Sequence, residues 1–407
     1  RHAVQALAAS GMDADLLAAL PATGSTLHRL LGTIPDSPRF RHHADNPLPF
    51  DVVVVDEASM IDLPLMAKLA DAIADGTRLV LLGDPDQLPS VEAGDVLAAI
   101  LAAAGEGGHL AQNDAEALRP LLGEVSDRHP REGGDPAPSP AAFPGIRVHL
   151  QRGWRQSEAL QLAPLAVAVR EGDADTALDL LRGDTLSNVH FHEGLGDPLE
   201  ARRDALLAHW RALGDAATPS DALALSTRLR LLTAVREGPQ GARTLNARIE
   251  RLLVENGTGS ARGAPGHFHG QLIIVTENSY RHRLFNGDIG ICLRDDDGTL
   301  AAWFPGEDPT QPRAFHPAAL PAHESAFAMT VHKAQGSEFD TVWLLLPARD
   351  NRVLSRELVY TGITRARGEL HIAGSDAVIR EALSRHASRW SGLGWRLHAQ
   401  VQDVSSR

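Results

Sequence analysis

Two adjacent carboxylates directly follow an apolar run in the stretch FDVVVVDE, residues 50–57. The four valines predict a buried strand that ends at Asp56 and Glu57. An aspartate at the end of such a strand can help to hold Mg²⁺, and the next carboxylate can polarise an attacking water. The same pair can instead cap the helix that follows, since carboxylates favour helix amino termini. The stretch therefore predicts either phosphoryl-transfer chemistry or a simple helix cap.

A second strand pattern about 25 residues later favours the chemical alternative. The stretch TRLVLLGDPDQ, residues 77–87, again ends in polar side chains, Asp84 and Gln87. A glutamine at this point can hydrogen-bond a terminal phosphate together with the attacking water. Gly83 shapes the turn after the strand. We therefore expect both strands to contribute to one nucleotide site.

The elements around these strands predict an α/β fold. The segment LPLMAKLADAIADG between them has helical spacing, with Leu65, Leu69 and Ile73 on one face and Gly76 as the stop. A strand, helix and strand with apolar strands predicts a parallel sheet that is covered on both faces.

Changes in pattern along the chain divide it into five segments. Residues 1–104 form a first α/β domain, and residues 105–145 form a Pro- and Gly-rich insertion or loop. A second α/β domain begins at 146–255 and resumes at 326–407. Four short strands between turns in 256–325 predict a small β-barrel inserted into that second domain.

Composition limits the classes of protein that remain. The net charge of −13 argues against a globally basic surface that coats nucleic acid, although a local basic groove is compatible with it. No apolar run is long enough for a membrane span. The single cysteine, Cys292, excludes an internal disulfide framework, and we expect a reducing, cytoplasmic location. The first residues lack an initiator methionine and a signal-peptide pattern, so we expect the chain to be the carboxy-terminal part of a longer protein.

An ordered set of motifs resembles the superfamily 1 helicases. VVVVDEASMIDLPLM and LLGDPDQLPSVEAGDVL resemble motifs II and III, and LQRGWRQ resembles motif IV with Arg155 in the arginine-finger position. AMTVHKAQGSEFD resembles motif V, and ELVYTGITRARGELHI resembles motif VI with Arg365 as a second finger. With STLHRLLG and AVREGPQGARTLNARIE, the set resembles the RecD-type helicases from about Thr26 to Gly374.

This resemblance implies a fold and an activity. The fold is two RecA-like P-loop NTPase domains, the first truncated at its amino terminus, with an inserted SH3-like β-barrel. The activity is that of an ATP- and Mg²⁺-dependent, 5′-to-3′ DNA helicase. The subunit works with RecB and RecC in exodeoxyribonuclease V on DNA ends during double-strand-break repair. No nuclease site is expected in this chain itself.

The resemblance also implies roles for single residues. Asp56, Glu57, Gln87, Arg155 and Arg365 are the implied catalytic set, with Asp56 on the metal. Gly83, Asp84, Gly336 and Glu338 are implied to contact the nucleotide, Glu338 through its ribose. The implied DNA contacts are Thr26, His28, Ser90, Thr330, His332, Lys333 and Gln335. Capped helix starts are the alternative for the segments that contain Thr26 and Thr330, and core packing is the alternative to base stacking for Trp154, Trp210 and Trp343.

No GxxxxGK[ST] phosphate loop occurs in the sequence. We therefore expect the isolated chain to hydrolyse ATP poorly. Two further interpretations remain beside the RecD-type subunit. One is a stand-alone RecD-like motor, and the other is a truncated, ATPase-inactive DNA-binding subunit.

Overall fold

The computed structural model describes most of the chain and divides it into two compact units. The described residues are 13, 15, 24–34, 37–90, 94–105, 147–150, 159–255, 266–295, 297–306, 308, 310–387 and 391–397. The first unit comprises Arg1–Asp84, Ser90–Arg147 and Arg389–Arg407, and the second comprises Pro85–Pro89 and Val148–Ser388. The predicted insertion after residue 105, together with Trp154 and Arg155, lies outside the described residues.

The first unit is built on a pair of parallel strands, β1 (Val52–Val55) and β2 (Arg78–Leu81). Its helices are α1 (Leu27–Leu31), α2 (Leu63–Ala72) and α3 (Val96–Ala103). Among the described residues one face of the strand pair is covered, by a core that includes Val53, Val55 and Leu69, while Val52 and Val54 are exposed on the other. The expected cover on both faces is therefore met on one face.

Local sequence explains where α2 begins. The Asp62 carboxylate accepts a hydrogen bond from the backbone N–H of Leu65 at 2.7 Å, which satisfies one of the free donors at the helix start. The helix ends at Ala72, and Ile73 is already extended at φ −83° and ψ 123°, so Gly76 is not the helix stop that was predicted. Gly76 lies instead in the turn before β2 and adopts φ +89°, a conformation that few other residues adopt without strain. The strands on either side of α2 are parallel, with their carboxyl ends at the same edge.

The second unit contains a five-stranded parallel sheet in the order β10-β4-β11-β12-β3. These strands are β3 (Val189–Glu193), β4 (Leu229–Thr233), β10 (Ala328–Thr330), β11 (Phe339–Leu345) and β12 (Ala366–Gly374). Its helices are α4 (Ala163–Glu171), α5 (Ala174–Arg182), α6 (Pro198–Ala201), α7 (Arg203–Gly214), α8 (Pro219–Ser226), α9 (Ala242–Glu255), α10 (Arg356–Ile363) and α11 (Asp376–Ser384). The expected α/β fold with parallel strands is therefore present in this unit. No helix in the described parts of the chain combines the length and the apolar character that a membrane crossing requires.

An antiparallel sheet lies between β4 and β10 in the chain. Its order is β8-β7-β6-β5-β9, formed by β5 (Gln271–Val275), β6 (Ile289–Arg294), β7 (Leu300–Phe304), β8 (Arg313–Phe315) and β9 (His323–Ser325). The sequence predicted the first four of these strands and missed β9. Ile273, Cys292 and Phe304 belong to a core on one side of this sheet, whereas Leu272, Ile274 and Ile291 belong to the main core of the unit. The inserted sheet is therefore packed on two sides.

Two tryptophans that could have stacked on bases are core residues. Trp210 on α7 is 1% exposed and packs edge-on against Phe327, with the ring centroids 5.5 Å apart. Trp343 on β11 is 3% exposed. Core packing, the alternative given for them from the sequence, is confirmed for both.

Candidate active site

The carboxylates Asp56 and Glu57 lie at the carboxyl end of β1, where the sequence placed them. Asp56 is exposed, and its Oδ1 accepts a hydrogen bond from the backbone N–H of Glu57 at 2.9 Å. Glu57 has φ +53° and ψ +40°, a left-handed conformation that costs a non-glycine residue on the order of 1 kcal/mol or more. The Glu57 side chain does not cap the following 3₁₀ turn, Ala58–Met60, because it makes no capping hydrogen bond to it. The surrounding structure therefore holds the pair in a strained turn at the strand end.

Gly83 allows the end of β2 to pack closely against this turn. A Cβ atom at Gly83 would lie 3.1 Å from the backbone nitrogens of both Ala58 and Ser59, and 2.7 Å from Leu97 Cδ2. The backbone N–H of Ala58 donates to the carbonyl oxygen of Leu82 at 2.8 Å. A larger residue at position 83 would displace the Leu97 side chain and press on the backbone of the turn after β1. Gly83 thus has a packing role in addition to the nucleotide role predicted for it, and Asp84 follows it, half-buried.

The chain passes from the first unit to the second directly after Asp84, which the sequence did not predict. Pro85–Pro89 group with the second unit, whereas Ser90 returns to the first. The backbone N–H of Leu88 donates to Thr361 Oγ1 at 2.8 Å, and the carbonyl oxygen of Leu88 accepts from Gln335 Nε2 at 2.8 Å. These long-range contacts explain the grouping, and Gln87 is held, 8% exposed, in the segment they fix.

The segment that resembles motif V forms a tight turn after β10. Thr330 Oγ1 accepts from the backbone N–H of Lys333 at 3.4 Å, so Thr330 caps the 3₁₀ turn Val331–Ala334 that also contains His332. Gly336 has φ +75° with open space where a Cβ would lie. The capped start that the sequence left open is therefore present, while a contact of this turn with DNA stays a prediction.

Arg365 is buried between two of the candidate motifs. The side chain is 2% exposed, and its guanidinium donates to the carbonyl oxygens of Thr361 at 3.1 Å and Ser337 at 3.4 Å. Glu338, the predicted ribose contact, accepts from Arg367 Nε at 3.0 Å. The structure thus joins the segments that resemble motifs V and VI, with Arg365 at the junction.

Two predicted DNA contacts of the first unit, Thr26 and His28, lie at the start of α1, whereas the third, Ser90, lies elsewhere in that unit. Thr26 is the N-cap of this helix, and its Oγ1 accepts from the backbone N–H of Arg29 at 3.4 Å. His28 is exposed and packs edge-on against Phe40, with the ring centroids 5.8 Å apart. Thr26 therefore has the capping role that was the alternative, which leaves a backbone contact with DNA as a prediction.

Sequence reasoning missed Glu324, which neutralises the lysine of the motif V turn. The carboxylate accepts a hydrogen bond from Lys333 Nζ and lies 3.0 Å from Arg236 NH2. Burial raises the pKa of Glu324, but the hydrogen bonds and charges of Lys333 and Arg236 outweigh it and hold that pKa below its ordinary value. No spacing rule indicates this pair, because Glu324 belongs to β9, the polar strand that the sequence analysis did not recognise.

The exposed group at the end of β1 suits a magnesium nucleotide. Mg²⁺ prefers carboxylate and phosphate oxygens and retains several waters, so a single exposed carboxylate such as Asp56 is enough protein ligand when phosphates supply the rest. Glu57, the residue after Asp56, is half-buried, so its side chain remains partly accessible to water. The donor set therefore fits Mg²⁺ with ATP.

Comparison with protein families gives two matches. The family described as "AAA domain" matches residues 1–113, and the family described as "UvrD-like helicase C-terminal domain" matches residues 325–373. The first match contains Asp56, Glu57 and Gln87, and the second contains the motif V turn and Arg365.

Comparison with curated proteins extends the likeness over nearly the whole chain. The chain is 39% identical over 380 residues to "RecBCD enzyme subunit RecD" of Mycolicibacterium smegmatis, and the match covers 92% of this chain and 59% of that protein. It is 35% identical over 409 residues to the protein of the same name from Haemophilus influenzae (93% and 59% covered). It is 32% identical over 366 residues to "ATP-dependent RecD2 DNA helicase" of Deinococcus radiodurans (89% and 41% covered). The chain thus spans about three fifths of the length of the RecD proteins it matches.

Among solved structures, the chain is similar to that titled "Crystal structure of Bacteroides Pif1 bound to ssDNA". The TM-score is 0.44 at 15% sequence identity, and the match covers 99% of this chain and 90% of that chain. A second structure, "Crystal structure of Pif1 helicase from Candida albicans", matches with a TM-score of 0.38 at 16% identity, covering 88% of this chain and 76% of that chain.

Proposed function

We propose that this chain, which belongs to the RecD-like helicases of superfamily 1, is the motor part of an ATP-dependent DNA helicase subunit. It acts with RecB and RecC in a RecBCD-type complex in the cytoplasm. The complex unwinds DNA ends during double-strand-break repair, and this subunit moves in the 5′-to-3′ direction. Single-stranded DNA and the duplex end are its substrates, and nuclease activity belongs to a partner.

The observation that carries the proposal is the junction around Leu88. The backbone of this residue is bonded to Thr361 and to Gln335, one in each of the segments that resemble motifs VI and V. Gln87, the candidate reporter of nucleotide state, is the preceding residue. A change at Gln87 on hydrolysis would therefore be transmitted directly to the turn that contains Lys333, which is the coupling that a DNA motor requires.

Each candidate catalytic residue has a distinct task. Asp56 would hold Mg²⁺, which neutralises charge on the phosphates of ATP when bound. Glu57 would accept a proton from the attacking water, and Gln87 would orient that water. Arg155 and Arg365 would stabilise the charge that develops on the transferred phosphoryl group. Gly83 and Asp84 shape the site, and Gly336 and Glu338 contribute to nucleotide binding.

The DNA side uses short polar groups and a few cations. Thr330, His332, Lys333 and Gln335 would contact one stretch of sugar-phosphate backbone, with Thr26, His28 and Ser90 contacting another. Contacts of this kind carry no base specificity, as a motor that works on any sequence requires. The inserted sheet over 271–325 would form an SH3-like barrel that lies over the single strand.

The experiment is a hydrolysis assay on the Glu57→Gln variant of the full-length gene product in complex with RecB and RecC. The complex contains a RecB variant that cannot hydrolyse ATP, so that only the ATP turnover of this subunit is measured. We expect ATP turnover to fall by about 10²-fold or more, because the general base is lost, while ATP binding is retained. Asp51→Asn is the matched control, since Asp51 is an exposed carboxylate just before β1. Near-normal turnover by the Glu57→Gln complex would rule out the assignment.

A stand-alone helicase is the second candidate, and the 32% identity to the RecD2 helicase favours it. Unwinding by the purified full-length protein without RecB and RecC would support this candidate over the first. A subunit that only binds DNA would show no turnover in either setting, and Glu57→Gln would then have no effect.

A further inference from the structure

A cluster of histidines on the second unit's sheet takes no part in the proposed motor function. His190 lies on β3, and His371 lies beside it on β12, paired in register. Glu369 is two residues before His371 and so points to the same face of the sheet. The Glu369 Oε1 atom lies 3.2 Å from His190 Nε2 and 3.3 Å from His371 Nε2. One carboxylate oxygen therefore faces two imidazole nitrogens.

These separations match the ligand spacing around zinc. Zn–N and Zn–O bonds of 2.0–2.1 Å at tetrahedral angles place neighbouring ligand atoms roughly 3.3 Å apart. All three candidate ligand atoms lie within 4.8 Å of one another, so a small movement of one ring brings the third pair to the same spacing. The side chains of His190 and Glu369 are 42% and 41% exposed, which leaves an open path for an ion from solvent.

Neighbouring side chains hold the buried ligand in position. His192 Nε2 lies 3.0 Å from His371 Nδ1, and the indole of Trp343 stacks on the His371 ring at 4.2 Å with an interplanar angle of 7°. Thr341 Oγ1 donates to Glu369 Oε2 at 3.3 Å. A metal-bound histidine commonly donates its other N–H to a hydrogen-bond acceptor, which fixes the tautomer and the ring. When His371 Nδ1 is the donor to His192 Nε2, the Nε2 atom of His371 keeps a lone pair for a metal.

One nearby charge opposes a cation at this cluster. It is the charge of Arg202, and the Glu369 carboxylate, which is a direct ligand, offsets it.

From this geometry we propose that His190, Glu369 and His371 bind one divalent transition-metal ion, with Zn²⁺ as the best match. Two imidazoles and one carboxylate suit zinc better than Mg²⁺ or Ca²⁺, which prefer all-oxygen shells. The ion bridges β3, an edge strand of the sheet, to β12. Its role is to fasten this edge, independently of ATP and DNA.

The test is calorimetric titration of ZnCl₂ into the untagged full chain after chelator treatment. We expect one saturable site, and we expect His190→Gln and Glu369→Gln each to weaken it by at least 10-fold. His43→Gln is the matched control, because His43 also lies beside an exposed carboxylate, Asp45, at 3.8 Å. Both substituted ligands are half-buried, so we expect the fold to be retained, which circular dichroism checks.

A second measurement needs no variant. Diethyl pyrocarbonate modifies exposed imidazoles, and we expect Zn²⁺ to protect His190 from it while His43 stays reactive. The proposal is overturned if the unsubstituted chain shows no saturable binding, if both ligand variants bind as tightly as the His43 control, or if His190 is modified equally with and without Zn²⁺.

Discussion

The side-chain amide of Gln335 donates a hydrogen bond to the carbonyl oxygen of Leu88 at 2.8 Å, across 247 positions of the sequence. Thr361 accepts the N–H of the same residue. A five-residue segment, Pro85–Pro89, is thereby attached to the second unit although both of its flanking segments belong to the first. A change in the conformation of this segment would therefore alter its hydrogen bonds to Gln335, after the motif V turn, and to Thr361 on α10.

Removing the Thr361 hydroxyl tests this attachment. Thr361→Val keeps the shape of a fully buried side chain but leaves the Leu88 N–H without its acceptor, which costs about 1–3 kcal/mol. We expect a lower urea midpoint and, in the proposed complex with RecB and RecC, a larger loss of DNA-stimulated than of basal ATPase. Thr361→Ser retains the acceptor and is the control. Equal ATPase losses for both variants would show that the hydrogen bond does not couple the motifs.

Substitution of Arg365 is expected to affect stability as well as turnover. From the sequence alone, Arg365→Ala should lower turnover with little loss of fold, but the buried guanidinium is bonded to the carbonyl oxygens of Thr361 and Ser337. We now expect a loss of about 1–3 kcal/mol in unfolding free energy, beside a fall in turnover of about 10³-fold for a lost arginine finger. Chemical denaturation and ATPase assays measure the two effects separately.

The matched control is Arg352→Ala, since Arg352 is an exposed arginine of the same unit. If Arg365→Ala loses stability and keeps turnover at the level of this control, Arg365 has a structural role alone.

Local elements of the first unit could be predicted from the sequence, whereas the contacts of Arg365 and Leu88 could not. β1 and β2 were placed correctly because runs of valine and leucine act locally, and the body of α2 because Leu65 and Leu69 repeat at helical spacing. The end of α2 was placed wrongly, since the helix ends at Ala72 and not at Gly76. The attachment of Leu88 depends on partners that are distant in the sequence. The burial of Arg365 depends on hydrogen bonds to backbone oxygens. Neither kind of contact leaves a spacing pattern, so neither could be predicted from the sequence.

Glu324 restrains two cations beside the candidate DNA-binding turn. It pairs with both Lys333 and Arg236, so Glu324→Gln should release two positive charges for phosphate contacts. For single-stranded DNA each added contact steepens the log–log salt dependence of binding by about 0.7. We expect tighter binding at low salt and a slope steeper by about 0.7–1.4, measured by fluorescence anisotropy.

The matched control here is Glu237→Gln, which removes the exposed ion-pair partner of Arg243 and leaves Glu324 in place. A similar change of slope in this control would mean that charge alone, and not the position of Glu324, is responsible.

Acid stability should depend on His209, a half-buried side chain on α7. Burial, with smaller effects from the Arg230 and Arg228 charges, lowers the pKa of His209 to about 4. Between pH 6.5 and 4 the unfolded chain therefore binds a proton that the folded chain does not, so stability falls as pH falls through this window. We expect His209→Gln to recover about 1–3 kcal/mol at pH 4 relative to pH 7. Urea unfolding at several pH values measures this, and parallel curves for the two proteins would contradict it.

The inserted sheet offers an exposed aromatic and basic turn for contact with the single strand. Tyr280 is 58% exposed and Arg281 and Arg283 beside it are exposed, whereas the strands that carry this turn are packed into the core of the unit. Replacing the whole sheet by a Gly-Ser linker would expose Leu272 and Ile291 and destabilise the unit, so a point substitution is the cleaner test.

Stacking of a base on an aromatic ring contributes about 1–3 kcal/mol. We therefore expect Tyr280→Ala to weaken single-stranded DNA binding by roughly 5- to 150-fold and to reduce unwinding, while Tyr280→Phe retains both. Equal DNA affinity for Tyr280→Ala and Tyr280→Phe would leave the inserted sheet with a packing role alone.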